Sequence, residues 1–215
     1  MEVLTYVPVL LFSFVAHEFA HAWVAYQQGD PTAYQLGRVT LNPIPHIDLF
    51  GTIIIPAMLI ATGSGFLIGW AKPVPVVSRN FRNYRRGDLL VSVAGITANF
   101  LIAVACTLLM IGLVHLVRAV PSFGVWAGTV QDMLEIGISL NFVLVVFNLL
   151  PVPPLDGSRL IYHVLPERIA LWYRSIERWG FLVFVVLLIT GAISVVLWPA
   201  GALMELSRVL IEWST

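Results

Sequence analysis

The sequence predicts an all-α integral membrane protein, a polytopic helix bundle with a small membrane-associated β element or re-entrant segment. Of its 215 residues, 59% are hydrophobic and 11% are charged, against about 25% charged residues in an average soluble domain. The apolar residues fall into several long stretches, and about 20 such residues are needed to cross a bilayer. Little of the chain remains for an extramembrane module, so we predict one domain over residues 1–215.

The first part of the chain is predicted to form one long helix followed by β-prone segments. The helix runs from Val3 to Gln27 and ends at Gly29-Asp30-Pro31, because glycine caps helices and proline cannot continue them. Residues 34–41 predict a strand, and residues 66–76 are expected to be extended because they contain two prolines. These two segments are the β element of the prediction.

An apolar stretch between these segments, residues 49–70, is interrupted by Pro56 and by a Gly-Ser-Gly sequence at positions 63–65. It either crosses the membrane once or returns as a re-entrant hairpin. Five of the 12 basic residues lie in the loop 72–86, which the positive-inside rule assigns to the cytoplasm. If the first helix also ends inside, a single crossing has the wrong parity, so we favour the hairpin.

The remaining chain predicts three more apolar helices and an amphipathic tail. A proline-, glycine- and tryptophan-rich outer loop separates the first two, and a second basic cluster, again assigned to the cytoplasm, precedes the third. The predicted segments are helices over 88–118, 133–150 and 181–198, the outer loop over 121–129, the basic cluster over 159–178, and an interfacial helix or half-span over 199–215.

A His-Glu-x-x-His motif lies inside the first apolar stretch. Residues four apart share one helix face, so His17 and His21 can bind one metal ion. Glu18 is then placed beside the metal, where it can take a proton from a metal-bound water as the general base of hydrolysis. Ionisable groups at membrane depth are costly and tend to be functional. The motif lies roughly 9–15 Å from the helix end, so the site is recessed below one membrane face.

A catalytic zinc needs a third protein ligand and an open position for water. We predict Asp156, which follows a helix break on the side flanked by basic residues. His46 and Asp48 are alternatives, although groups in a proline-rich loop usually satisfy their own backbone. A hydrolytic site also needs water, and irregular backbone at membrane depth occurs where protein or a water-filled cavity surrounds it.

The motif at residues 17–21, paired with the distant Asn148-Leu149-Leu150-Pro151-x-Pro153-x-Leu155-Asp156-Gly157, resembles the site-2 protease family of intramembrane zinc metalloproteases. Gly95 and Asn99 resemble the Gly-x-x-x-Asn-type element of that family. The segments at 41–48 and 69–76 are similar to its compact prokaryotic branch.

The resemblance implies a single intramembrane metalloprotease domain with one Zn²⁺ ion. It implies His17, His21 and Asp156 as the zinc ligands, Glu18 as the base and Asn148 as a donor to the tetrahedral oxyanion. The protein is then expected in the cell membrane as a multi-pass protein, with its active site near the cytoplasmic face. Its expected substrate is a membrane protein or a signal-peptide-like transmembrane segment, cut in regulated intramembrane proteolysis. A formal net charge of zero gives no indication of nucleic-acid binding.

A transmembrane substrate must unwind before its carbonyl groups can be attacked, and the freed backbone then needs hydrogen-bond partners. Strand addition to an exposed edge supplies them. The predicted edges are residues 34–41 and 66–76, which makes Val39 and Trp70 candidate substrate contacts.

Two other functions use similar residues. Intramembrane histidines and carboxylates also occur in metal or proton transporters, but there the polar residues extend across the whole membrane depth, whereas here they converge at one depth. A catalytically silent binding protein of the same fold is the second alternative, and the intact Glu18 argues against it.

Overall fold

The structure is a computed structural model, and it describes residues 3–63, 69–175 and 179–214. These residues form helices, turns and extended segments. The α-helices are α1 (Val3–Gln28), α2 (Thr32–Gln35), α3 (Ile55–Ala61), α4 (Tyr84–Ala119), α5 (Gly124–Leu149), α6 (Asp156–Tyr162), α7 (Glu167–Ser175), α8 (Gly180–Ile189), α9 (Ile193–Val196) and α10 (Trp198–Ser214). A π-helix covers Leu49–Ile54, and 3-10 turns cover Ile44–His46, Ser78–Asn80 and Pro121–Phe123.

Three of these helices, α1, α4 and α5, are long and apolar enough to cross a membrane. Together with the composition they make the chain a helical membrane protein, as predicted. The first two match the predicted helices closely. The third begins at Gly124 rather than near residue 133, so the predicted outer loop shrinks to the 3-10 turn Pro121–Phe123. Gly124 and Gly128 both lie in α5 and neither has a positive φ, so neither glycine marks a turn here.

The predicted strand over residues 34–41 is wrong. The segment begins inside the single helical turn α2 and continues through turns and bends. No residue of the described part of the chain is in a β-strand. The local reason is Asp30, whose carboxylate accepts hydrogen bonds from the Thr32 backbone N–H and hydroxyl. These bonds favour a helical start directly after Pro31 over an extended chain.

Residues 51–70 begin and end at the same point, as a hairpin requires. The Trp70 N–H donates to the Gly51 carbonyl at 3.1 Å, and the Thr52 hydroxyl donates to the Trp70 carbonyl at 2.8 Å. A segment that crossed the membrane once would place its two ends about 30 Å apart. The outgoing arm is the π-helix and α3, and the chain turns at Gly63, whose φ is +67°. The rest of the predicted turn and extended segment, residues 64–68, lies outside the described residues.

The continuous helix predicted over residues 181–198 is interrupted, and its crossing of the membrane stays a prediction. α8 has ten residues, about 15 Å of helix, and it ends at Ile189, two residues before Gly191, whose φ is +72°. Glycine tolerates this left-handed conformation, which interrupts the helix. The tail forms α10, where Ala200 is buried against α5 residues such as Phe142. The tail is therefore a helix packed against α5, and its assignment as an interfacial helix or half-span stays a prediction.

The chain divides into two compact units, Leu10–Gly95 and a second that combines Met1–Val9 with Ile96–Thr215. The core of the first is formed by Ala25, Phe81 and Val91. The core of the second brings α4, α5 and α10 together; its buried residues are Ala103, Ile138, Phe142, Val146 and Ala200.

Candidate metal centre

The two histidines of the motif face each other on α1. The Nε2 atoms of His17 and His21 lie 2.9 Å apart, and their ring centroids are 4.6 Å apart. Two nitrogen ligands of a tetrahedral zinc, each about 2.0–2.1 Å from the metal, are separated by about 3.3 Å. The pair is therefore already arranged as two ligands of one ion need to be.

The orientation of His21 is fixed from α4. Its Nδ1 atom lies 2.8 Å from the Val91 carbonyl oxygen, and since a carbonyl only accepts, Nδ1 carries the proton. The lone pair of the neutral ring is then on Nε2, the atom that faces His17. Hydrogen bonds of this kind set the tautomer of metal-binding histidines. With 7% of its surface exposed, His21 is held in that orientation.

Gly95 on α4 leaves the space in which the imidazole rings lie. A Cβ atom at this position would lie 2.5 Å from His21 Nε2 and 2.5 Å from His17 Cε1. No side chain fits there without moving a ring. The Gly-x-x-x-Asn-type element thus contributes room for the histidines at its first position. At its last position, Asn99 is buried and donates to the Asn141 side chain on α5 at 2.7 Å.

His17 and His21 offer two imidazole ligands within the unit Leu10–Gly95, and Asp156, which lies in the other unit, stays the predicted third ligand. Two imidazoles and a carboxylate are the donor types of a catalytic zinc site that keeps a fourth position for water. The residues present therefore fit zinc. Asp156 is the first residue of α6, directly after the proline-rich break that follows α5.

Glu18 is held by a backbone group. Its Oε2 atom accepts a hydrogen bond from the Val74 N–H at 2.7 Å. Val74 belongs to the extended segment Gly69–Val77, which runs past α1 without forming a ladder. This contact fixes the carboxylate of the predicted base, and sequence analysis missed it because a backbone N–H leaves no mark in a residue pattern.

A buried carboxylate holds the far end of that extended segment. Asp30 accepts hydrogen bonds from the Val77 N–H at 2.7 Å and from the Asn80 side chain at 2.9 Å, in addition to the two from Thr32. Burial raises the pKa of Asp30, but these hydrogen bonds outweigh it and the pKa is lowered. Asp30 thus stays ionised and keeps Val77 in place.

The two alternative ligands, His46 and Asp48, make hydrogen bonds to the backbone of their own loop. His46 is fully buried, and its Nε2 atom lies 3.0 Å from the Thr40 carbonyl. Asp48 caps the π-helix by accepting from the backbone N–H groups of Phe50 and Gly51. Within the described residues neither is part of a metal-binding group.

The other predicted site residues stay predictions. Asn148 donates one N–H of its amide to the Leu144 carbonyl of its own helix at 3.0 Å, and an amide has a second N–H for an oxyanion. Trp70 is 43% exposed and lies over Gly51. Val39 lies in a bend, so the argument that placed it on a strand edge no longer applies.

Comparison with known proteins shows the family to which the chain belongs. Residues 109–191 match the model of peptidase family M50. The chain is 44% identical over 190 residues to the "Putative zinc metalloprotease YwhC" of Bacillus subtilis, which covers 88% of this chain and 82% of that protein. It is 34% identical over 185 residues to the "Putative zinc metalloprotease Rip2" of Mycolicibacterium smegmatis, covering 86% of this chain and 66% of that protein. No solved structure matches the chain. This chain is thus a zinc metalloprotease of peptidase family M50, the site-2 protease family.

Proposed function

We propose that this metalloprotease cuts peptide bonds in or next to the transmembrane helices of other membrane proteins, in regulated intramembrane proteolysis. The observation that carries the proposal is the position of the motif. His17, Glu18 and His21 lie within Thr5–Gln28, a helix long and apolar enough to span a bilayer. Placing ionisable groups at that depth costs free energy, and a catalytic function at that depth explains why they are there.

His17, His21 and Asp156 would hold the zinc ion, which supplies Lewis acidity to a water molecule and to a peptide carbonyl. Glu18 accepts a proton from the attacking water and returns it to the leaving amine. The Val74 N–H keeps the Glu18 carboxylate in one orientation for both transfers. Asn148 donates its second amide N–H to the oxyanion that develops on the substrate.

The site is proposed to open toward the cytoplasmic face. The supporting observation is the hairpin closed by Gly51 and Trp70, which lets the end of α1 and the basic loop lie on one side of the membrane. That side is the cytoplasm by the positive-inside rule. Water then enters from the cytoplasm.

The substrate is proposed to be a membrane protein or a signal-peptide-like segment that unwinds locally before cleavage. In a helix every interior carbonyl is hydrogen bonded, and lipid offers no competing partner. The extended segment Gly69–Val77 is the remaining candidate for an edge that receives the unwound chain, with Trp70 as an exposed contact. A central Asn-Gly or Gly-Pro pair in a substrate span is therefore expected to speed its cleavage.

The test is cleavage of a purified transmembrane substrate by the Glu18→Gln variant. We expect the variant to keep its zinc and to lose at least about 10²-fold in kcat, the lower end of what general-base catalysis contributes. Glu135→Gln is the matched control, because Glu135 is an exposed carboxylate within the span of α5. Membranes from cells with wild-type and Glu18→Gln protein then identify substrates through fragments cut within spans. Undiminished cleavage by Glu18→Gln would contradict the proposal.

A further inference from the structure

We propose that Arg38 is a positioning residue for Glu18, and that it acts through the single peptide group that joins Pro73 to Val74. The inference rests on the proposed role of Glu18 as the base. It goes beyond that role by naming a residue that touches neither metal nor substrate and that controls how the base is held.

The two ends of this peptide group bond to opposite charges. The Val74 N–H donates to Glu18 Oε2 at 2.7 Å. The Pro73 carbonyl accepts from Arg38 Nη1 at 2.9 Å. In a trans peptide the N–H and C=O point in opposite directions, so the guanidinium, the peptide group and the carboxylate follow one another in a line of hydrogen bonds.

The sequence around this peptide group keeps it from turning. Prolines at positions 73 and 75 have a fixed φ and hold the residues before them, Lys72 and Val74, in extended conformations. The segment is bound on both sides as well. The Lys72 N–H donates to the His46 carbonyl at 2.8 Å, and the Val77 N–H donates to Asp30 Oδ2 at 2.7 Å.

Charge explains why Arg38 matters to a carboxylate that it does not touch. A cation at the carbonyl oxygen polarises the peptide group and makes its N–H a stronger donor. Hydrogen bonds in a chain strengthen one another by about 10–30% each. Without Arg38 the Val74 N–H still reaches Glu18, but as the donor of an unpolarised peptide. The carboxylate is then held less firmly at the place where it must meet the water.

The kinetic test compares Arg38→Met with Arg38→Lys. Methionine keeps an unbranched apolar stem and removes the charge, and lysine keeps the charge. We expect Arg38→Met to lower kcat about 2- to 5-fold, the scale of a 10–30% weakening of one hydrogen bond to a charged group. KM and zinc content should stay within about twofold of wild type, since neither zinc ligands nor substrate contacts change. Arg38→Lys should recover part of the loss. Arg79→Met, which removes an exposed charge from the same unit, should match wild type.

A spectroscopic test observes the Pro73–Val74 peptide group directly and needs no cleavage of substrate. Labelling with ¹³C-carbonyl proline and ¹⁵N-valine selects the four Pro-Val peptides of the chain, and Val74→Ile identifies the signal of Val74. In the zinc-free protein, an amide proton bonded to a carboxylate resonates downfield. We expect this signal to move upfield in Glu18→Gln, to move part of that way in Arg38→Met, and to stay in place in Arg79→Met.

The two readouts separate the failure of this inference from the failure of the proposed function. An unmoved Val74 amide and a wild-type kcat in Arg38→Met overturn the positioning role even if Glu18→Gln is inactive. Equal losses of kcat and zinc in Arg38→Met also overturn it, because they indicate a general structural role. A shifted amide in Arg38→Met together with full activity in Glu18→Gln overturns the proposed function of Glu18.

Discussion

Gly95 offers the sharpest test of the metal centre, because one added carbon atom blocks it. In Gly95→Ala the new Cβ would lie 2.5 Å from His21 Nε2, 2.5 Å from His17 Cε1 and 2.7 Å from His17 Nδ1. Ordinary contacts of a Cβ atom begin near 3.4 Å. The two rings must therefore move by about 0.9 Å, or α4 must move away from α1.

The size of the expected loss in zinc affinity follows from the narrow range of metal–ligand distances that a metal site tolerates. Metal–ligand distances vary by about 0.2 Å in working sites, so a shift of about 0.9 Å detaches at least one imidazole. Loss of a mere hydrogen-bond partner of a ligand lowers metal affinity about 10- to 100-fold. We expect Gly95→Ala to lower zinc affinity by at least about 100-fold, which corresponds to about 2.8 kcal/mol, and to abolish cleavage. Alanine is favoured over glycine inside a helix by about 0.8–1.0 kcal/mol, so the fold itself is not expected to suffer.

The assay is zinc content at equilibrium with a series of zinc buffers, measured beside the thermal unfolding temperature in detergent. Gly112→Ala is the matched control, since it lies on the same helix with nothing within 4 Å of the added atom. The control should bind zinc like wild type. A Gly95→Ala protein with wild-type zinc affinity and activity would refute the argument that α4 lies too close to the two imidazoles to carry a side chain at this position.

Three further predictions concern the third ligand, the topology and the buried Asp30. Asp156→Ala should lose zinc, as His21→Ala should; unchanged zinc in Asp156→Ala alone would exclude Asp156 as the third ligand. Single cysteines at positions 29 and 83, in a Cys106→Ser background, should react with an impermeant thiol reagent from the same side of the membrane, and labelling from opposite sides would exclude the hairpin. Asp30→Asn should lower the unfolding temperature, since each hydrogen bond to its charge contributes about 1.5–3 kcal/mol. The pKa of Asp30 is lowered in the folded protein from its ordinary 3.8, so the ionised carboxylate stabilises the fold above pH 3.8 and this contribution is lost as the pH falls further. The difference in unfolding temperature between wild type and Asp30→Asn should therefore persist from pH 8 to 5 and shrink below about pH 4.

The sequence was informative where one short pattern decides a structure. The four-residue spacing of His17 and His21 predicted their shared helix face, and the helix stop at Gly29-Asp30-Pro31 came within one residue. β-Propensity misled over residues 34–41, because the carboxylate of Asp30 favours a helical turn there. Hydropathy did not reveal the interruption of the helix over residues 181–198, because a single glycine at 191 lies in an otherwise apolar stretch.

The contacts that refine the site could not be predicted from residue types. The Val91 carbonyl that orients His21 and the Val74 N–H that holds Glu18 are backbone groups, and every residue but proline has both. Only the folded chain brings them to α1. Gly95 was found as part of a family-like element, but its spatial role depends on how close α4 comes to two rings. Arg38 belongs to none of the sequence motifs, so its contact with the Pro73 carbonyl could not be predicted either.

The contact between Gly51 and Trp70 ties together the two ends of the segment that lies between them. The Trp70 ring lies over Gly51 so closely that a Cβ there would be 2.3 Å from the indole. The Trp70 N–H also donates to the Gly51 carbonyl, and the Thr52 hydroxyl donates to the Trp70 carbonyl. Residues between them form a loop with its ends tied, and doubling the length of such a loop costs only about 0.6 kcal/mol. Insertions and deletions between positions 52 and 69 can therefore accumulate in evolution, or be engineered, without displacing the segment that carries Val74. This loop is the natural place to graft a new specificity onto an unchanged hydrolytic centre.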